Sequence, residues 1–158
     1  MRPFEEIVVQ HGPMVLRVCR AVLGRDDAAE DAWSETFLSA MRAYPDLRPD
    51  SNVGGWLVTI AHRKAIDQIR RRSRGPHLLP DPPDVASWDL HSAPDGDLRA
   101  ALGRLAPKQR AAVAYRYLAD LSYAEIAGLL DCSETAARRS AADGIAKLRQ
   151  AYRQAPGG

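Results

Sequence analysis

The sequence predicts an all-α protein made of two small helical domains joined by a proline- and aspartate-rich linker. Three observations predict it. Apolar residues recur at helical spacing almost throughout, and strand signals are nearly absent. The 158 residues, 46% of them hydrophobic, suffice for real cores in one large or two small domains. Residues 75–97 break the pattern, with five of the chain's 11 prolines and five aspartates but no Lys or Arg. Pro82-Pro83 opposes helix on both sides. The expected division is a first domain at 1–74, a flexible acidic linker at 75–97, a second domain at 98–154 and a tail at 155–158.

Phe4–Leu23 reads as a first helix with a possible kink at Gly12-Pro13. Asp26–Tyr44 reads as a second, with Asp26 and Asp27 near its start, where acids suit the dipole, and Pro45 as its stop. The loop PDLRPDSNVGG follows. A helix then runs from Trp56 to Arg74. On a wheel of about 100° per residue, Leu57, Val58, Ala61, Ala65, Ile66 and Ile69 fill one half. Thr59, Arg63, Lys64, Asp67, Arg70 and Arg71 cluster on the other, with Ile60 among them. The apolar half can pack on Ala32, Phe37, Leu38 and Met41 of the preceding helix. Trp88, inside the linker, reads as a ring packed on a neighbouring module or as an anchor for a partner.

Helices resume at Leu98. Pro107 suits the first turn of a helix that ends near Leu118. Ser122 with Glu125 three residues on forms a capping box for a short helix ending at Leu130. Asp131 takes the turn, since Asp tolerates a left-handed backbone. Ser133 caps the next helix, Glu134 to Arg149. This is the helix-turn-helix pattern, with Ile126, Ala127, Leu130, Ala137 and Ile145 as core positions. Tyr115, Tyr117 and Tyr123 are expected mostly in the core, and Glu125 as a cap rather than a base.

Charge is distributed in blocks. Residues 22–50 carry seven acids and three bases, residues 56–74 six bases and one acid, and residues 98–154 ten bases and five acids. Such blocks suggest separate surfaces for separate partners. The basic face after Trp56 has Asp67 as its one acid, and arginine dominates it. Arginine's planar fork suits phosphates and base edges, so polyanion binding is the expected role. Cys19 and Cys132 stand far apart, which excludes a disulfide framework and metal-ligand spacing; both are expected to be small buried apolar residues. His62 is expected as a packed or surface histidine. No secretory leader and no apolar run long enough for a membrane span are found, so a cytoplasmic location is expected. No nucleophile–base pair, metal set or second carboxylate cluster supports an enzyme, and no cofactor or small-molecule substrate is expected.

The strings AAEDAWSETFLSAMRAY and WLVTIAHRKAIDQIRRR, followed by LAPKQRAAVAYRYLADLSYAEIAGLLDCS, make the chain similar to RNA polymerase sigma factors of the small extracytoplasmic-function group. The similarity spans roughly Phe4–Arg74, as sigma region 2, and Leu98–Arg149, as region 4. It implies a promoter-specificity subunit without catalysis of its own. Its partners would be core RNA polymerase, promoter DNA and an anti-sigma factor. Glu30, Asp31, Glu35 and Leu38 would dock on the β′ clamp, and the first region 4 helices would touch the β flap. Asn52, Arg63, Lys64, Asp67, Arg70 and Arg71 would meet the −10 element, with a flipped base in a pocket lined by Ser51–Gly55. Lys108, Arg110, Ser133, Arg138 and Arg139 would meet the −35 element, the second helix entering the major groove. Ser34 stands where the family usually has Gln, and Trp33 where it has a smaller aliphatic. Asp143 and Gly144 stand where arginine and alanine are common. A stand-alone helix-turn-helix regulator, or a degenerate sigma-like protein without initiation activity, stays open as an alternative.

Overall fold

The computed structural model describes residues 2–74 and 93–154. Helix α1 spans Phe4–Leu23. Pro13 lies inside it, on the exposed side next to Val9 (77% exposed), so the carbonyl that loses its partner faces solvent and the helix runs on. Gly24 ends α1 in the left-handed conformation (φ 78°), its N–H bonding to the Arg20 carbonyl at 2.8 Å. Helix α2 is Asp26–Ala43, continued by a 3-10 turn at Tyr44–Asp46 that contains Pro45. Helix α3 is Val53–Arg74, starting three residues before the expected Trp56. The reason is a cap: Asn52 Oδ1 accepts the Gly55 N–H at 3.2 Å, which draws Val53-Gly54-Gly55 into the first turn.

The second half comprises α4 (Ala93–Gly103), α5 (Pro107–Tyr117), α6 (Tyr123–Leu130) and α7 (Glu134–Gln154). Helix α4 begins five residues inside the segment expected to be linker. Residues 75–92, Trp88 among them, lie outside the described residues. The local signals of the helix-turn-helix are realised. Ser122 Oγ accepts the Glu125 N–H at 3.1 Å, and Glu125 Oε1 accepts the Ser122 N–H at 3.0 Å. Asp131 is left-handed (φ 55°), and Ser133 Oγ accepts the Ala136 N–H at 3.0 Å.

Two cores result. One lies between α1, α2 and α3, around Ile7, Val15, Phe37, Leu57 and Ala61. Within it, Trp33 is explained by α1: the indole lies over Gly12, where an added Cβ would be 3.4 Å from the ring, and its N–H donates to the Gly12 carbonyl at 2.9 Å. The second core, around Leu102, Tyr115, Leu121 and Ile126, belongs to α4–α7 but also takes in Val18 and Ala21 of α1 and Val58 of α3. The two modules therefore share apolar packing.

Candidate nucleic-acid interface

The outer face of α2 carries Glu30, Asp31, Ser34, Leu38 and Met41, all exposed, with Leu38 at 52% and Met41 at 50%. The sequence pattern had set Leu38 and Met41 against α3. The structure turns them outward instead, because the small residues Ala28, Ala29, Ala32 and Ala40 take the buried side and let α2 approach its neighbours closely. Glu35 is half-buried and pairs with Arg71 across the α2–α3 seam at 3.2 Å. A residue expected to face the polymerase thus meets one expected to face DNA.

Helix α3 presents Arg63, Asp67, Arg70 and Arg71 on one exposed arc, with Lys64 half-buried at its edge. Its buried arc is rotated from the wheel's apolar half. Ile60, expected among the polar residues, is 9% exposed in the first core, and Ile69, expected inside, is 46% exposed. Helix α3 packs on α1 and α2 with one flank and meets the second module with the other, so the solvent keeps a narrow sector. Asn52 is exposed at the start of α3, where it caps the helix.

In the second module Arg138 and Arg139 are exposed on the first turns of α7. Arg138 is held: its guanidinium stands 4.5 Å over the Tyr123 ring and 3.3 Å from Glu134 Oε1, while Arg116 stands 4.8 Å from the same ring. Ser133 serves as the α7 cap. Lys108 is exposed at the start of α5. Arg110 is not a phosphate-facing residue. It folds inward and donates to the carbonyls of Leu102, Gly103 and Leu105 at the end of α4, and to the Val22 carbonyl near the end of α1, at 3.1–3.3 Å. Carbonyls at two helix ends, the Leu102 one already accepting the Leu105 N–H, attract a fork of five donors more strongly than solvent does. Tyr117 also departs from expectation, being 59% exposed, whereas Tyr115 is fully buried.

Between the modules, His62 Nδ1 and the Tyr115 hydroxyl are 2.5 Å apart. Arg99, 9% exposed, stands 2.9 Å from Asp26 Oδ1 and donates to the Gly24 carbonyl at 3.2 Å. Sequence reasoning missed this junction. The one available signal was local: Arg99 and Arg110 sit beside the small apolar runs Ala100-Ala101 and Ala111-Ala112, where a buried guanidinium can fit.

Burial lowers the pKa of His62 below 6.5; a backbone hydrogen bond with Leu129 acts the other way and the Arg63 cation adds to the lowering. His11 is lowered in the same sense by burial and by Arg2. The folded state therefore binds fewer protons than the unfolded chain, so stability is full above about pH 6.5 and falls as the pH drops below it. Urea midpoints measured from pH 7.5 down to 5.5 are expected to decline, with a shallower decline in His62→Gln. Equal slopes in the two proteins would remove His62 from this account. Burial also pushes the Cys19 thiol up to about 12, which leaves it unreactive near neutral pH.

No group of three or more potential metal ligands occurs among the described residues, and none of their helices is long and apolar enough to cross a membrane. Two family models match the chain: sigma-70 region 2 over residues 7–75 and sigma-70 region 4 over residues 95–155. The RNA polymerase sigma factor CarQ of Myxococcus xanthus is 31% identical over 153 residues, covering 93% of this chain and 87% of CarQ. The ECF RNA polymerase sigma factor SigE of Mycolicibacterium smegmatis is 35% identical over 139 residues, covering 82% of this chain; the match spans 54% of SigE, about half its length. The fold is shared with the sigma factor RpoE in its complex with the anti-sigma factor NepR from Bartonella quintana, with a TM-score of 0.77 at 22% identity over 96% of this chain and 97% of that one. It is shared with CnrH in complex with the cytosolic domain of CnrY at a TM-score of 0.67 and 22% identity, over 93% of this chain and 85% of that one. With both region models placed on the two helical modules, and a relative matched over nearly its whole length, the chain belongs to the sigma-70 family as an ECF-type RNA polymerase sigma factor.

Proposed function

We propose that this sigma factor docks on core RNA polymerase through the α2 face of Glu30, Asp31, Glu35 and Leu38, and engages the −10 element through α3. In this reading Asn52, Arg63, Lys64, Asp67, Arg70 and Arg71 meet the DNA, and Lys108, Ser133, Arg138 and Arg139 serve the −35 element. Arg110 drops out of that set because its donors are spent on carbonyls. The protein works in the cytoplasm, where polymerase is found, and an anti-sigma factor holds it in reserve; the complexes of RpoE with NepR and of CnrH with CnrY support that last point by likeness. The observation that carries the proposal is the pairing, in one module, of an acidic strip with exposed Leu38 and an arginine arc on the adjacent helix. Acids with an apolar anchor suit a protein surface, and arginines suit a strand.

The test is co-elution with core polymerase followed by run-off transcription on genomic fragments. Arg63→Ala and Arg70→Ala are each expected to lower open-complex formation roughly tenfold, on the scale of one charge-assisted hydrogen bond, with polymerase binding retained. Glu35→Arg and Leu38→Asp are expected to lose polymerase. Leu38→Asp is the cleaner of the two, since Glu35→Arg also sets a like charge against Arg71. Equal loss of polymerase by both classes would contradict this division of labour, and no complex with wild type would favour a stand-alone DNA-binding module.

A further inference from the structure

Helix α7 carries two acid–base pairs four residues apart, in opposite orders. Glu134 precedes Arg138, the favourable order along a helix, and the two stand 3.3 Å apart. Arg139 precedes Asp143, the reverse order, and both stay exposed. Among the described residues nothing bonds to the Asp143 side chain. Arg138 is held further, 4.5 Å over the Tyr123 ring, so Arg139 and Asp143 are the unheld charges in the first three turns of α7. Packing fixes where they face. Ala137, Ala141, Gly144 and Leu148 are buried at spacings of four, three and four, which makes one stripe against the core. Gly144 sits so close to α5 that an added Cβ would lie 2.6 Å from Val113 Cγ2, so α7 cannot roll toward it. Arg139 and Asp143 lie one turn apart on the opposite half of the helix.

A carboxylate is out of place on a helix face that approaches a polyanion, since phosphates repel it within about 10 Å at 0.1 M salt. A base edge that offers a hydrogen gives it a partner. In the major groove cytosine presents the N4 amine as a donor, whereas guanine presents two acceptors and thymine one, all of which a carboxylate repels. Adenine sets its N6 amine beside the N7 acceptor, which suits an amide better than a carboxylate. We infer that Asp143 is a specificity-determining residue of the −35 contact, its carboxylate accepting from the N4 amine of a cytosine in the major groove. The inference deepens the proposed function and rests on its assignment of α7 to the −35 element. Arg139, one turn earlier, offsets the repulsion between Asp143 and the flanking phosphates. Arginine, common at this position in the family, selects guanine, so the reversed charge changes which base is read and leaves α7 as the reader.

The test uses holoenzyme assembled from the full chain and core polymerase. A promoter recovered by run-off transcription on genomic fragments is rebuilt with its −35 region randomised, and the bound fragments are sequenced. Wild type is expected to enrich cytosine about tenfold at one −35 position. Asp143→Ala is expected to flatten that position alone and to leave its neighbours selected. Asp143→Asn is expected to move the preference there to adenine, because an amide donates to N7 while accepting from N6. A carboxylate with a merely structural task would not change the identity of the preferred base. Asp143 is exposed and bonded to nothing, so both variants are expected to melt with wild type. A selected −35 region that holds no cytosine position, or one that both variants leave unchanged, overturns the inference while α7 keeps its place on DNA. Holoenzyme that selects nothing in the −35 region overturns the assignment of α7 as well, and absence of holoenzyme overturns the docking proposal.

Discussion

Arg110→Ala is expected to lower the unfolding free energy by about 3 kcal/mol, measured by urea denaturation, the equivalent of one or two hydrogen bonds from a charged donor with their acceptors left bare. This side chain bonds four carbonyls: those of Leu102, Gly103 and Leu105 at and just past the end of α4, and that of Val22 near the end of α1; the Leu102 carbonyl also accepts the Leu105 N–H at 3.1 Å, so three depend on Arg110. Its positive charge sits at the negative ends of two helices, where cations are favoured. Arg110→Lys is expected to recover under half of the loss, because one ammonium cannot span two helix ends as a planar fork does. The family resemblance suggested a phosphate contact instead. That role predicts normal stability with weakened, less salt-dependent DNA binding. A variant as stable as wild type would restore it.

Gly144→Ala tests a second residue whose role reverses between sequence and structure. On propensity, alanine in the middle of α7 stabilises the helix by about 1 kcal/mol. In the fold, an added Cβ would lie 2.6 Å from Val113 Cγ2, 3.3 Å from the Gln109 carbonyl oxygen and 3.4 Å from Leu105 Cδ1. Val113 is buried and β-branched, so its methyl cannot swing aside, and the Gln109 carbonyl is backbone. Overpacking of this kind costs about 1–3 kcal/mol, more than the helix gains. A net loss of about 1–2 kcal/mol is expected, read as a melting temperature roughly 2–8 °C lower. Gly144→Val should be worse. A rise in melting temperature for the alanine variant would show that α5 and α7 can part cheaply. The glycine is therefore a contact point between α5 and α7, and its cost to helix propensity is the condition for that contact.

Much of the candidate site was legible because its signals are local. A capping box needs only Ser122 and Glu125 at the right spacing, and a left-handed turn needs only Asp131 between two apolar runs; both stand as expected. The basic arc of α3 was legible too, since Arg63, Asp67, Arg70 and Arg71 share a side at helical periodicity whatever surrounds them. The wheel failed at Ile60 and Ile69 because it assumes one buried stripe per helix, whereas α3 is covered on two flanks. Leu38 and Met41 failed for a related reason: alanines on the other side of α2 allow closer packing than large side chains would, which leaves the large ones outside. Trp33 looked like an oddity until Gly12 appeared opposite it.

By itself the sequence determined that this chain is helical, that it has two modules, where its turns fall, and that an acidic helix precedes a basic one. Periodicity, capping and charge are properties of residues within a few turns of one another, and they survive in any arrangement of the helices. Only the tertiary structure decided which arginines face solvent and which close helix ends, why position 144 is glycine, and that Tyr115 meets His62. Those outcomes depend on pairs such as Arg110 with Val22 or His62 with Tyr115, separated by 88 and 53 residues. A guanidinium goes to whichever acceptors the fold brings within reach, and the fold must exist before that competition has an answer.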